Sequence, residues 1–285
     1  MKIKSIYYLV LTLLISANSF AQNNERKFKI HTLAFYNLEN LFDTINDVNK
    51  NDEASPIMEI KFNRSGIYKQ KITNMAKVIS EIGYEVTKRP PTIIGICEVE
   101  NRKVVEDLIS NEKLENHNYG IVHYESPDDR GIDVGLIFNK DVFEVKNSNS
   151  HDVFITGNNS NKRRNTRDQL VVTGLLDGDL IHIIVNHWPS RGADETKRIA
   201  AAEVNNLIID SLRNIHNNAK IITMGDFNDD PFDKSIKKVL RAKKEIKDVG
   251  KNDLYNPFEK ILVEKGIGTN ACLLYTSPSP RDQLQ

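Results

Sequence analysis

The pattern of hydrophobic and polar residues predicts strands and helices that alternate, with hairpins between some of them. Apolar residues at helical spacing predict one helix that stops at Gly83 and another that runs from about Thr196 to Ile215. Two apolar stretches flank Asp177-Gly178, a pair typical of a tight hairpin turn. Short apolar runs predict further strands at 30–36, 92–97, 119–124, 132–138 and 221–225. Because hairpins interrupt the alternation, we expect two packed sheets covered by helices rather than one parallel sheet.

The first residues have the pattern of a cleaved export signal. A basic start with Lys2 and Lys4 precedes an apolar run at 6–15 that is too short to span a bilayer comfortably. Ser19 and Ala21 are small residues at the positions that a signal peptidase reads. We therefore expect residues 1–21 to be a signal peptide and the mature chain to be periplasmic or extracellular, without stable membrane insertion. A retained membrane anchor is the alternative.

The last residues break the preceding pattern abruptly. Residues 272–282 resemble one reading frame of a sequencing adaptor, translated as though it were coding sequence. We therefore expect residues 28–270 to form one domain and residues 271–285 to be an artefactual tail on a truncated chain. A genuine polar tail is the alternative.

Charge and cysteine content narrow the class of protein. The 285 residues contain 39 basic and 39 acidic side chains, and removal of the predicted signal and tail leaves 36 and 38. A nearly neutral chain lacks the global positive field of a tight, nonspecific nucleic-acid binder, so any such binding must be local. Cys97 is the only cysteine outside the predicted tail, which excludes a disulfide framework. Its position in an apolar run favours a buried hydrophobic role.

Polar side chains directly follow four of the predicted strands. In chain order they are Asn37 and Glu39, then Glu98, then Asn186 and His187, then Asp226 and Asn228. Strand ends gathered at one edge of packed sheets form a natural pocket, and carboxylates there suit a hard divalent cation. Each residue alone also fits an ordinary role in a turn, loop or helix start. The repeated placement at strand ends favours a shared site.

Four segments in this order resemble the successive motifs of the endonuclease/exonuclease/phosphatase superfamily, which has the deoxyribonuclease-I-like fold. They are FYNLENL at 35–41, IGICEVE at 94–100, NHWPSR at 186–191 and GDFN at 225–228. The resemblance covers roughly residues 28–270 and is nearest to secreted members of the Bacteroidetes type. It implies an α+β fold, a four-layer αββα sandwich, and metal-dependent hydrolysis of a phosphoester by an activated water.

The resemblance also implies roles for residues around a metal ion. Glu98 is similar to the principal metal ligand and Glu39 to a second one, with Mg²⁺ as the expected ion and Mn²⁺ or Ca²⁺ as alternatives. Asp226 is similar to the acid that orients or deprotonates the attacking water. Asn37 is similar to an amide that orients the metal site or the phosphate.

Four further residues have implied roles toward the substrate. Asn228 resembles the partner of Asp226 on the scissile phosphate, and His187 resembles a donor to phosphate oxygens. Arg167 resembles an arginine that binds the substrate phosphate at the start of a central strand. Asp133 lies where the superfamily often has a catalytic polar side chain, although the motif around it departs from better-known members.

The superfamily normally completes its site with an Asp, often followed by a His, near the C-terminus, and this sequence has no counterpart of that pair. We therefore expect a sandwich without its C-terminal strand or strands, weak metal binding and little activity. The leading functional expectation is a monomeric, secreted nuclease that acts on nucleic acid. One alternative is a phosphatase or lipid phosphodiesterase on the same fold. The other, from a different class, is a binding protein that has lost catalysis.

Overall fold

Two four-stranded sheets form the centre of the computed structural model, which describes residues 28–156 and 162–266. The strands of the first sheet are β1 (Leu33–Leu41), β2 (Ile93–Val99), β3 (Tyr119–His123) and β4 (Asp133–Asn139), in the order β1-β2-β4-β3. Those of the second are β5 (Phe143–His151), β8 (Gln169–Leu176), β9 (Asp179–His187) and β10 (Lys220–Asp226), in the order β10-β9-β8-β5. All eight strands lie in one compact unit, which begins at His31.

Six helices and two small strand pairs complete the described part of the chain. The helices are α1 (Pro56–Glu59), α2 (Arg64–Glu81), α3 (Tyr84–Thr87), α4 (Arg102–Ile109), α5 (Glu195–Ile215) and α6 (Pro257–Lys265). The small pairs are β6 (Ile155–Thr156) with β7 (Arg163–Arg164), and β11 (Ala242–Lys243) with β12 (Leu254–Tyr255). Short helical turns lie at Asp52–Ala54, Glu115–His117, Ser235–Val239 and Ile246–Asp248.

Side chains that alternate along the central strands build three apolar layers. On β2, Ile93 and Cys97 contribute to a core between the two sheets, whereas Ile94 and Ile96 pack in a core with residues of α2 and α4. On β9, Ile183 faces the core between the sheets and Ile184 packs with α5. Because a strand points successive side chains to opposite faces, this alternation places helices on both outer faces. The predicted α+β fold with αββα layers is confirmed.

Each sheet contains one pair of parallel strands joined by a long helix. β1 pairs with β2 in parallel and α2 lies between them in sequence, while β9 pairs with β10 in parallel and α5 lies between them. The remaining neighbours in both sheets are antiparallel. In a parallel pair the carboxyl ends lie at the same edge, so Asn37 is in register with Cys97, and Asp226 with His187.

Most predicted elements are present, and the differences have physical reasons. The two long helices match the predicted ranges closely, and Asp177 and Gly178 form the hairpin turn with φ of 48° and 91°. The strand β5 is not evident from the sequence because it is an edge strand with largely polar side chains. The segment after Pro231 forms only the short helical turn Ser235–Val239. Residues 1–21 and 271–285, predicted as signal and tail, lie outside the described residues.

No helix within residues 28–156 and 162–266 is long and apolar enough to cross a membrane.

Candidate active site

The side-chain amide of Asn37 connects carboxylates from the two sheets. Its Nδ2 donates to Oε1 of Glu98 at 3.0 Å and to Oδ2 of Asp226 at 3.1 Å. Its Oδ1 accepts a hydrogen bond from the main-chain N–H of Glu39 at 2.7 Å, which fixes the orientation of the amide. Asn37 and Glu98 lie on β1 and β2, whereas Asp226 ends β10. The structure thus brings three predicted site residues into direct contact.

The carboxylate of Glu98 is held from several directions. Its Oε2 accepts from the main-chain N–H of Asn40 at 2.9 Å, and His187 Nε2 lies 3.7 Å from Oε1. Glu39, Asn40 and Glu98 have φ of 47°, 57° and 59°, in the left-handed region that non-glycine residues rarely adopt. Such conformations persist only where surrounding contacts enforce them, and they cluster at functional sites. Here they aim the main-chain N–H of Asn40 at Glu98.

Lys71 supports this arrangement, and sequence reasoning missed it. The residue is buried on α2, and its Nζ donates to the main-chain oxygens of Glu39 and Asn40. Burial lowers the pKa of Lys71 to about 8, although the charges of Glu39 and Glu98 act in the opposite direction. A signal existed in the sequence, because position 71 falls on the inward face defined by Tyr68, Ile72 and Met75. A lysine on that face needs a buried partner.

His187 is a buried, neutral imidazole beside Glu98. Burial lowers the pKa of His187 well below its usual value, and the positive charges of Arg167 and Arg130 lower it further. Its Nδ1 has no hydrogen-bond partner in the described part of the chain. A neutral imidazole carries one N–H and one acceptor nitrogen, so His187 has a single donor available for a ligand or for Glu98.

The segment after β10 is held by the main chain of Trp188. Asp226 Oδ1 accepts from the main-chain N–H of Asn228 at 3.0 Å, and the Asp226 carbonyl accepts from Trp188 N–H at 2.9 Å. The Trp188 carbonyl accepts from Asn228 Nδ2 at 3.0 Å and from Arg167 Nη2 at 2.6 Å. Arg167 is itself buried, with Nη1 3.4 Å from Asp128 Oδ2. Arg167 therefore supports the Trp188 carbonyl to which Asn228 is also bonded, and its predicted contact with substrate phosphate stays a prediction.

Gly225 allows β10 to approach β9 at the position where the polar residues begin. A Cβ atom at this position would lie 2.3 Å from the main-chain oxygen of Asn186. Asn186 is fully buried, and its side chain bonds to Thr223, Asn205 and Trp188. The close approach at Gly225 is thus to a neighbouring strand, and it fixes Asp226 relative to His187.

Asp133 lies in a separate cluster at the start of β4. The residue is fully buried, with Oδ1 accepting from Ser126 N–H at 2.8 Å and Oδ2 lying 3.1 Å from His123 Nε2. Within the described residues, no hydrogen bond or ion pair joins Asp133 to Asn37, Glu98 or Asp226. Its predicted substrate-binding role stays a prediction.

The donor atoms around Asp226 also form a potential metal cluster. One ligand atom each from Cys97, His187 and Asp226 lies within 4.8 Å of the others. Burial raises the pKa of the Cys97 thiol well above its usual value, so Cys97 remains a protonated, weakly ligating thiol. The residues at this edge that suit a hard cation are therefore the carboxylates, Glu98 and Asp226, with Glu39 on the adjacent turn.

Three solved structures are similar to this chain. ANGEL2, a 2′,3′-cyclic phosphatase, is 14% identical with a TM-score of 0.50, over 74% of this chain and 56% of that one. A truncated Caenorhabditis elegans TDP2 is 18% identical with a TM-score of 0.42, over 57% and 56% of the two chains. An endonuclease/exonuclease/phosphatase from Bacteroides vulgatus is 16% identical with a TM-score of 0.46, over 73% and 68%. The chain thus spans little more than half the length of the first two.

Among curated proteins, none matches the chain significantly. A family model, in contrast, matches residues 32–275, which include all four of the segments that resemble superfamily motifs. The chain therefore belongs to the Endonuclease/Exonuclease/phosphatase family, a family of hydrolases that cleave phosphoester bonds.

Proposed function

We propose that this protein is an exported, Mg²⁺-dependent phosphodiesterase and, within that class, a nuclease that acts as a monomer. The observation that carries the proposal is the Asn37 amide, which holds Glu98 and Asp226 together across the two sheets. Two carboxylates that share one amide form an acceptor-rich site, which suits a hard cation and an attacking water. Export is proposed from the N-terminal sequence pattern alone.

The donor set of this site fits the divalent cation that the family implies. Glu98 is only partly exposed, and its two oxygens are oriented by Asn37 and by the main chain of Asn40. We propose that Glu98 and Glu39 hold the ion, with Mg²⁺ preferred because all of the donors are oxygens. When bound, the ion would lower the pKa of its water and offset negative charge on the phosphate.

In the proposed reaction, a water oxygen bonds to phosphorus, the bond from phosphorus to the leaving oxygen breaks, and the leaving oxygen takes a proton from solvent. Asp226 accepts the proton of the attacking water, and it is well placed to do so because Asn37 and the N–H of Asn228 fix both of its oxygens. His187 and the second hydrogen of the Asn228 amide donate to the phosphate oxygens. Loss of one such donor typically costs about 2.7–4 kcal/mol of barrier.

Hydrolysis assays with matched variants test this proposal. Bis(p-nitrophenyl) phosphate, DNA, RNA, p-nitrophenyl phosphate and inositol phosphates are each incubated with Mg²⁺ or with EDTA. The protein is used at micromolar concentration over long times so that slow turnover is also detected. We expect Glu98→Gln to reduce turnover by at least about 100-fold. Glu112→Gln, which changes a largely exposed acid on a loop, serves as the control.

The pattern of results across substrates separates the alternatives. Chelator-sensitive cleavage of DNA or RNA supports the nuclease, and cleavage of the monoesters alone supports the phosphatase. If no substrate is cleaved in a chelator-sensitive way, or if Glu98→Gln cleaves as fast as Glu112→Gln, the proposed function is wrong.

Export is tested independently by expression in a Gram-negative host. We expect the protein in the periplasmic fraction with Gln22 as its first residue by N-terminal sequencing. An uncleaved chain in the cytoplasmic fraction would contradict export and would leave the catalytic proposal intact.

A further inference from the structure

An acidic cavity lies between the loop that follows β1 and the segments that follow β2 and precede β4. Its volume is about 370 Å³, and its walls come from three segments of the chain. The lining residues are Asp47, Asn49, Lys50 and Asp52 from the loop, Glu100 and Asn101 after β2, and Glu125 and Gly131 before β4. No residue of the candidate active site lines this cavity, so any ligand there would bind separately from the catalytic ion.

The charges around the cavity are strongly unbalanced. Four carboxylates, those of Asp47, Asp52, Glu100 and Glu125, face a single ammonium, that of Lys50. Lys50 is occupied at one wall, where its Nζ lies 3.7 Å from Glu125 Oε2 and donates to the Ser126 carbonyl at 3.3 Å. Across residues 28–156 and 162–266, no ion pair involves Asp47, Asp52 or Glu100. Among the described residues, the cavity therefore has more acidic groups than basic partners.

Asp52 gives the strongest indication that a ligand belongs in the cavity. Its side chain is 1% exposed, and Oδ2 accepts from the main-chain N–H of Asp47 at 2.8 Å. The other oxygen, Oδ1, is buried and has no hydrogen-bond partner among the described residues. Buried polar atoms in folded proteins are almost always satisfied, and an unpaired buried carboxylate oxygen is especially unfavourable. A cation in the cavity would supply the missing partner.

Two other acids of the cavity, Glu100 and Asp47, also use one carboxylate oxygen for a main-chain hydrogen bond. Glu100 Oε2 accepts from the main-chain N–H of Asp43 at 2.7 Å, and Asp47 Oδ1 accepts from the main-chain N–H of Asn49 at 2.9 Å. In the described part of the chain, no hydrogen bond reaches Glu100 Oε1 or Asp47 Oδ2. Each acid is thus oriented through one oxygen, with the second left for a ligand.

We propose that this cavity binds one partly hydrated, hard divalent cation, for which Ca²⁺ is the appropriate probe. Ca²⁺ takes six to eight oxygen ligands in flexible geometry and readily includes water among them. The carboxylates line a cavity rather than converge on one point, so the ion keeps some of its water and the ligand distances need not be uniform. The bound ion ties the loop after β1 to Glu100, which lies two residues beyond Glu98 in the sequence.

Calorimetric titration with Ca²⁺ tests the site when binding at the catalytic position is removed. The background variant is Glu98→Gln/Asp226→Asn, which lacks two active-site carboxylates and leaves the cavity intact. We expect it to bind one Ca²⁺ per chain in 0.1 M KCl. Addition of Asp52→Asn should weaken that binding at least tenfold. The absence of Ca²⁺ binding by the background variant, or equal affinity with and without Asp52→Asn, would overturn the proposal.

Thermal unfolding distinguishes a cation ligand from a merely structural carboxylate. In EDTA, Asp52→Asn should leave the melting temperature unchanged or raise it, because it removes an unpaired buried charge while an amide oxygen still accepts from Asp47. In Ca²⁺, the stabilisation seen in the Glu98→Gln/Asp226→Asn background should be absent when Asp52→Asn is added and present when the control Glu112→Gln is added. A lower melting temperature in EDTA with an intact Ca²⁺ response would mean that Asp52 is structural. If Asp52→Asn fails to fold, the same two measurements on Asp47→Asn, at an exposed loop position, decide the question.

Discussion

Replacement of Lys71 by methionine is expected to weaken cation binding much more than it destabilises the domain. The Lys71 ammonium donates to the main-chain oxygens of Glu39 and Asn40, both of which have left-handed backbone conformations. Methionine retains a long apolar side chain on the inner face of α2 and removes both hydrogen bonds. The Glu39–Asn40 turn then loses its support, and the N–H of Asn40 no longer orients Glu98.

Two opposing effects determine the change in global stability. Hydrogen bonds from a charged donor contribute about 1.5–3 kcal/mol each, so losing two of them costs about 3–6 kcal/mol. Burial of Lys71 lowers its pKa from 10.5 to about 8, a penalty of roughly 3 kcal/mol at neutral pH that methionine removes. The expected net loss is therefore about 0–3 kcal/mol in the free energy of unfolding. Cation affinity should fall at least tenfold, about 1.4 kcal/mol, because Glu98 loses one of its orienting donors.

Urea unfolding in EDTA measures the first quantity, and calorimetric titration with Mn²⁺ or Mg²⁺ measures the second. Lys77→Met is the matched control, since Lys77 is an exposed lysine on the same helix. Cation affinity in Lys71→Met equal to that in Lys77→Met would refute the idea that Lys71 positions Glu98 through the left-handed turn.

Three further predictions concern other parts of the structure. Gly225→Ala should lower the free energy of unfolding by more than about 2 kcal/mol, because its Cβ would meet a main-chain oxygen at 2.3 Å. The control Gly192→Ala, with only a side-chain atom nearby at 3.7 Å, should change the free energy of unfolding little. Equal losses in urea unfolding would contradict this prediction. Asp128→Asn should lower the free energy of unfolding by about 3–5 kcal/mol, because Arg167 stays buried without its anion. A double-mutant cycle with Arg167→Met should show strong coupling between the two residues. Additive effects would mean that the ion pair contributes little to stability. Burial and the charge of His216 lower the pKa of His182 below 6.5, so the unfolded chain binds more protons at this residue and stability rises with pH up to about 6.5. In unfolding measurements across this pH range, His182→Gln should make the rise of stability with pH shallower. An unchanged slope would count against this role of His182.

The elements that sequence patterns predicted well are those whose burial is decided locally. The helix α2 repeats apolar residues at helical spacing, and the strand β2 is a continuous apolar run, because one packs on a sheet and the other is covered on both faces. The edge strand β5 has no such pattern, since it is paired on one side only and its side chains are largely polar. Its existence depends on β8 as a partner, which a local pattern does not reveal.

The candidate site shows the same division between local and distant information. Asn37, Glu98, His187 and Asp226 could be predicted because each polar residue follows an apolar strand. The contacts of Lys71 could not, since they require that α2 pack beneath the turn after Asn37. The Trp188 carbonyl is a hydrogen-bond acceptor for both Arg167 and Asn228. Every residue has a main-chain carbonyl, so the sequence gives no signal for this contact. Sequence patterns thus indicate which side chains reach the site and leave out the groups that orient them.

The two parallel strand pairs explain why these four strand ends meet. In each sheet a long helix returns the chain so that two carboxyl ends lie side by side, which places Asn37 beside β2 and Asp226 beside His187. The core between the sheets brings the two pairs together, and the bond from Asn37 to Asp226 then joins them. The left-handed residues near the ends of β1 and β2 let main-chain N–H groups, rather than further side chains, orient the Asn37 amide and the Glu98 carboxylate. A site of this kind depends on the relative position of the two sheets, so substitutions in the core between them should alter cation binding as well as stability.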